Sequence, residues 1–212
     1  LYRRWGADTM ATAQADLLDY SERRMRAGLK ALPSGTYVAE DFIDDDGVND
    51  RPIRIETRIT IAGDAVTVDL TGSDPQAEGN TNSTIANTHA AVYYALIALV
   101  DPGAPPNSGC YRPIEVLTRA GSIVHPRPPG AVAARTNAST KIVEAMMKAL
   151  APAIPGRVTA GSHGQISPCG FGGRHPATGE PFVFTDIQGG GAAARATKDG
   201  ADGQDCHLPR FM

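Results

Sequence analysis

Two stretches of this chain hold side chains suited to chemistry. The first is the polar run Gly79-Asn80-Thr81-Asn82-Ser83-Thr84, which follows Val66 to Thr71 and precedes an apolar segment. Amides and hydroxyls beside buried apolar chain need partners, and a pocket supplies them more readily than a core. The same residues also suit an Asx-rich turn with a helix cap at Ser83 or Thr84. The second stretch is glycine-rich, from Gly161 to Gly173, and carries His163 and Cys169. Cys169 with His163, or Cys206 beside His207, would make a thiol–imidazole pair, but neither has a local signature. A metal reading gathers His163, His175, His207, Asp186 and Asp205; their scatter lacks the paired spacing of a metal helix. Asp44-Asp45-Asp46-Gly47 invites calcium, yet an EF-hand alternates its acids and closes on a glutamate, so a hairpin turn is the better reading.

Other motifs are excluded by context. Gly189, Gly191 and Ala194 fit G-x-G-x-x-A, but Ala192 to Asp199 has no apolar stripe for a crossover helix. No G-x-x-x-x-G-K-[ST] and no G-x-S-x-G occurs.

These loops need elements to hold them. Ile53, Ile55, Ile59 and Ile61 alternate with Arg54, Glu56, Arg58 and Thr60, which predicts an antiparallel strand wet on one side. Gly63-Asp64 turns it into a second strand, Val66 to Thr71. Tyr37 to Ile43 predicts another. Asp8 to Leu32 has helical apolar spacing and ends at Pro33-Ser34-Gly35. Ile85 to Val100 is apolar nearly all round, the mark of a central helix. His89 near its start is ordinarily a core residue. Ala138 to Pro152 predicts a further helix with Ile142, Val143, Met146, Met147 and Leu150 on its stripe. Arg112 to Val124 reads as a strand pair about an Ala120-Gly121 turn, Pro105 to Cys110 as a rigid loop, Arg157 to Ala160 as a short strand, and Pro181 to Ile187 as a strand. The fold class is α/β of the α+β type: a mixed, largely antiparallel sheet with buried helices and glycine-rich loops.

Composition sets further bounds. At 212 residues the chain can bury a large core. Its net charge of −3 gives no general attraction to nucleic acid. The longest apolar run, Ala90 to Val100, is too short to span a bilayer. Three separated cysteines, odd in number, argue against a disulfide framework, and a reducing cytoplasm is the simplest setting. No linker or repeat divides the chain, so residues 1–212 are read as one unit. The first residue, Leu1, and the character of the end lead us to expect an internal fragment of a longer protein.

An ordered set of motifs resembles the hydantoinase B/oxoprolinase family. It comprises Gly35-Thr36-Tyr37 with Glu40-Asp41 and Asp44-Asp45-Asp46-Gly47, then Val68-Asp69-Leu70-Thr71-Gly72-Ser73, then Gly79-Asn80-Thr81-Asn82. Pro106-Asn107-Ser108-Gly109-Cys110 with Arg112-Pro113-Ile114 follows, then Gly121-Ser122, and finally Gly189-Gly190-Gly191-Ala192 with Lys198-Asp199-Gly200. The resemblance runs from about Asp16 onward. It implies a subunit of an ATP-dependent cyclic-amide hydrolase acting on hydantoin- or 5-oxoproline-like rings. The family also implies an alternative, a subunit of an acetone or acetophenone carboxylase. A third reading comes from another class: the chain as it stands is a catalytically silent scaffold that only docks an ATPase partner. The implied partner is a hydantoinase A-type protein with an actin-like fold, which would bind ATP and Mg2+. A divalent metal, zinc or manganese, would be held by ligands outside this chain, so no metal ligand is carried over. Within the chain, Asn80 and Asn82 are expected to bind a ring amide or carbonyl, since an amide both donates and accepts. Asp69 is expected to orient them. His163 is expected to serve as acid, base or phosphate contact, and Asp186 to line the same cavity.

Overall fold

The computed structural model describes residues 1–164, 167–188 and 190–202. Its elements, in chain order, are α1 (Tyr2–Trp5), α2 (Ala7–Lys30), β1 (Gly35–Ile43), β2 (Ile53–Ala62), β3 (Ala65–Asp69), α3 (Ile85–Val100), α4 (Ser108–Tyr111), β4 (Ile114–Leu117), α5 (Arg135–Leu150), β5 (Ser167–Arg174) and β6 (Pro181–Gln188).

The alternation of β2 decides the main sheet. Ile53, Ile55, Ile59 and Ile61 are buried, while Arg58 on the other side is exposed. β1 and β3 pair with β2 antiparallel, and Gly63, at φ 64°, makes the β2–β3 turn. β4 then pairs with β3 in parallel, Val66 opposite Ile114, giving the order β1-β2-β3-β4. A parallel neighbour needs a crossover, and α3 supplies it. Thr84 caps α3 by accepting from the Asn87 N–H, 3.4 Å. α5 packs on β1, β2 and α3, and buries Ile142, Val143, Met146, Met147 and Leu150. His89 meets the edge of Tyr93, whose ring stacks on Tyr111 at 4.0 Å.

Four expectations change. Arg112 to Val124 forms one strand rather than a pair. The Ile123 N–H donates to the Asp74 carbonyl, 3.0 Å, and the Ile123 carbonyl accepts from the Ser83 N–H, 2.8 Å. That backbone therefore closes the polar loop and has nothing left for β4. Arg157 to Ala160 is not a strand; it makes only a bridge, Thr159 to Arg195. The end of the expected Pro105–Cys110 loop opens a single helical turn, α4, capped by Asn107. The glycine-rich run is half strand: β5 pairs antiparallel with β6, Phe171 facing Phe184, in a separate two-stranded sheet. Phe171, Phe184 and Ile187 on this ribbon are exposed, and Val183 is 85% exposed. Among the described residues, no helix is long and apolar enough to cross a membrane.

Candidate functional site

The polar loop begins where β3 ends. Asp69 Oδ1 accepts from the Thr71 N–H, 2.8 Å, and so closes the turn. Ser73 Oγ accepts from the Glu56 N–H, 3.2 Å, and donates to the Glu56 carbonyl, 3.3 Å, which fastens the turn to β2. Gln76 Oε1 accepts from the Arg127 N–H, 2.7 Å. Asn82 is fully buried, and its amide is completely occupied. Oδ1 accepts from Ala77 N–H at 2.7 Å; Nδ2 donates to the carbonyls of Ala77, Gly79 and Ala131 at 3.0, 3.1 and 2.8 Å. Asn80, by contrast, is exposed, and among the described residues only its backbone carbonyl is engaged, by Ala134 N–H at 2.9 Å.

The acidic turn proves to be part of this loop. Asp46 Oδ1 accepts from Val48 and Asn49 N–H, 2.9 and 2.6 Å, and Oδ2 accepts from Gly79 N–H, 3.0 Å. The Asn49 and Gly79 N–H groups lead in holding the Asp46 carboxyl well below the usual carboxylate range. A depressed carboxyl contributes stability that is complete above its unfolded value, about 3.9. That contribution is lost as pH falls through the lower folded value. Urea midpoints of the full-length protein are therefore expected to drop below about pH 4, and Asp46→Asn is expected to flatten that drop. An unchanged acid profile in the variant would remove Asp46 from this role.

The second locus is an open cavity of about 530 Å3. Gly161, Ser162 and His163 form one wall; Gly191 to Ala194 and Gly200 to Asp202 form the other. The walls meet through the His163 N–H, which donates to the Gly191 carbonyl at 3.3 Å. Behind the first wall lies a charged group from α5. Glu144 is buried at 7% exposure and accepts from the Ser162 N–H, 2.9 Å, and the Ser162 hydroxyl, 2.8 Å. Lys141 donates to Glu144 at 2.9 Å and lies 3.7 Å from Asp41 of β1. Burial works against the charge on Glu144, but Lys141 and Ser162 outweigh it and hold the carboxyl below its ordinary value. Burial also pushes the Asp41 carboxyl up. For Lys141, Glu144 and Asp41 outweigh burial and raise the ammonium further.

The five expected site residues are thus distributed over three places. Asp69, Asn80 and Asn82 belong to the polar loop. His163 lines the cavity. Asp186 does not; it is exposed on β6 opposite Cys169. The polar loop touches the N-cap of α5 at Ala134 and the cavity wall touches the helix at Glu144, roughly 15 Å apart at about 1.5 Å of rise per residue. Asp41, Asp46, Lys141 and Glu144 were missed in the sequence. Lys141 and Glu144, three apart, fall with Asn137 and Lys148 on the polar side of the helix, so their spacing gives no sign of burial. Among the described residues, no three His, Cys, Asp or Glu side chains assemble a metal site. Asp205, Cys206 and His207 lie outside the described residues.

The model of the hydantoinase B/oxoprolinase family matches residues 1–212. The chain belongs to this family. A provisionally named B-type component of a D-/L-hydantoinase from Pseudomonas sp. (strain NS671) is 34% identical over 97% of the chain and 36% of its own length. The beta chain of caprolactamase from Pseudomonas jessenii is 30% identical over 94% of the chain and 35% of its own length. The crystal structure of ATP-dependent caprolactamase from that organism superposes with a TM-score of 0.83, at 27% identity, over 95% of the chain and 35% of the matched one. An acetone carboxylase chain shares the fold, with a TM-score of 0.70 at 17% identity, over 85% of this chain and 26% of that one. The chain therefore spans about a third of the hydantoinase and caprolactamase relatives. In this hydantoinase B-type chain two of the motifs are tied down by internal contacts. Asn82 and Asp46 lock the Asn loop, and the Pro106–Cys110 motif locks α4 onto α2.

Proposed function

We propose that this chain is part of the B-type component of an ATP-dependent cyclic-amide hydrolase. The observation that carries this reading is the naming of its sequence relatives. Hydantoinase, caprolactamase and the 5-oxoprolinases of Pestalotiopsis fici and Arabidopsis thaliana are all named for cyclic amides. The likeness to acetone carboxylase, at 17% identity, carries the fold alone. In the proposed reaction a hydantoinase A-type partner transfers the γ-phosphoryl group of ATP to the amide oxygen, releasing ADP, and that group leaves as phosphate when the ring opens. Water adds to the activated carbon, the ring C–N bond opens, and the ring nitrogen takes a proton. His163, at the cavity wall, is assigned as the group that moves that proton. Of the two asparagines only Asn80 has an open amide, so a contact with the ring amide rests on it. No step is assigned to Asp186.

The test is ATP turnover by the full-length chain with its ATPase partner on hydantoin, 5-oxoproline and caprolactam. Ring opening is expected without bicarbonate, and His163→Gln is expected to lower kcat by about 100-fold or more. Turnover of acetone that requires bicarbonate would instead place the protein with the carboxylases.

A further inference from the structure

We propose that Glu144 is a positioning residue that holds the Ser162-His163-Gly164 segment so that His163 stands at the cavity wall; this rests on the role given to His163 above. Three observations converge on this carboxylate. First, one oxygen of Glu144 takes both donors of Ser162, the residue immediately before His163. A two-point contact fixes that residue's backbone and side chain together, so the next peptide has little freedom. Second, the residue immediately after His163 is shaped to the same group. Gly164 adopts φ +69°, and a Cβ there would lie 3.2 Å from Glu144 Oε2 and 3.2 Å from Lys141 Nζ. Glycine favours that left-handed conformation, and a Cβ there would press the pair by a few tenths of an ångström. The segment is thus seated on the Lys141–Glu144 pair on both sides of the histidine. Third, the residue just before the opposite wall leaves the histidine side chain its place. A Cβ on Gly190 would collide with the Cβ and Cγ of His163.

The carboxylate is itself rigid. Lys141 neutralises its other oxygen and is drawn in turn toward Asp41 on β1. Breaking a buried, hydrogen-bonded charge pair is costly, so Glu144 has one stable placement. It transmits the position of the α5–β1 core to the loop. Glu144 does not line the cavity, and it acts through Ser162 and His163 rather than on the substrate.

The experiment uses the full-length chain with its ATPase partner, and hydantoin, 5-oxoproline and caprolactam as substrates. Glu144→Ala is expected to lower kcat by about 100-fold, the scale of a misplacement near 1 Å, with KM within about twofold. Glu144→Gln keeps an oxygen acceptor for Ser162 and is expected to recover most of that loss. Ser162→Ala removes one of the two bonds without touching the ion pair, and is expected to cost about tenfold in kcat. It serves where Glu144→Ala does not fold. Hydrogen exchange read on the full-length chain should quicken at Ser162 to Gly164 in both alanine variants. Wild-type kcat in a folded Glu144→Ala or in Ser162→Ala, or a loss confined to KM, would overturn the assignment. So would unchanged exchange at these amides. His163→Gln separates the two failures. If it is inactive while the Glu144 and Ser162 variants are unaffected, only the positioning role falls. If His163→Gln is itself fully active, the cavity reading falls and the positioning role with it.

Discussion

Replacing Asn82 with alanine is expected to destabilise the full-length protein by roughly 3–4 kcal/mol, near the top of the range for single substitutions. The magnitude follows from what the amide holds. Asn82 is fully buried, and its loss strands one N–H and three carbonyls, those of Ala77, Gly79 and Ala131. Each stranded backbone group costs about 1–3 kcal/mol if it stays dry. Partial collapse of the loop and entry of water recover some of the total. Asn82→Asp is a sharper probe. It preserves the acceptor for Ala77 N–H but turns three donor contacts into contacts between acceptors, so it is expected to be no better than alanine. The measurement is the urea midpoint of the first unfolding transition, with its slope checked for two-state behaviour. A loss below about 1 kcal/mol would mean that the loop does not depend on this amide.

Asn82 also shows where sequence reasoning stops. Its capacity to donate and accept is a property of the side chain, and it is legible at once. Which groups use that capacity depends on Ala131, 49 residues away. The same distance effect hides Asp46. Three consecutive acids before a glycine announce a turn, and a turn is what forms. Nothing local shows that Gly79 donates into it across 33 residues. Elements whose periodicity is strong were legible: the β2–β3 hairpin, α3 and α5 lie close to their expected bounds, because burial of one face or of every face leaves its mark in order. β5 was not legible. Its residues, Pro168-Cys169-Gly170-Phe171-Gly172-Gly173, have little strand propensity. The partner strand β6 imposes the conformation. The parallel placement of β4 depends likewise on a crossover, which short-range pattern does not record. For the candidate site the lesson is narrower. His163 drew attention because imidazoles are scarce and it sits among glycines, and the structure sets it in the cavity wall. Glu144 drew none, because an ion pair three residues apart on a helix has the same sequence whether it faces solvent or a core.

Gly109→Ala is expected to be the next most disruptive change, at about 2–3 kcal/mol, through overpacking rather than lost contacts. Gly109 is buried at the start of α4, and a Cβ there would collide with the Leu18 carbonyl of α2. That carbonyl is backbone in the middle of a helix and cannot swing aside, so α4 must move as a unit. Three contacts that join α4 to α2 move with it. Asn107 Nδ2 donates to the buried Ser21 hydroxyl at 2.8 Å, and Arg112 meets Asp19 at 2.7 Å and Glu22 at 2.8 Å. The Arg112 pairs are exposed and contribute little; the Asn107–Ser21 bond and the steric fit carry the effect. Two controls make the explanation testable. Gly156→Ala, where a Cβ would meet nothing within 4 Å, is expected to stay within about 0.5 kcal/mol of the parent. Gly109→Ala combined with Ser21→Ala is expected to cost less than the sum of the two, because displacement of α4 already breaks the bond that Ser21 makes. Strict additivity would show that α4 stays seated on α2 and absorbs the methyl group locally, and the Pro106–Cys110 motif would then need a reason other than close packing.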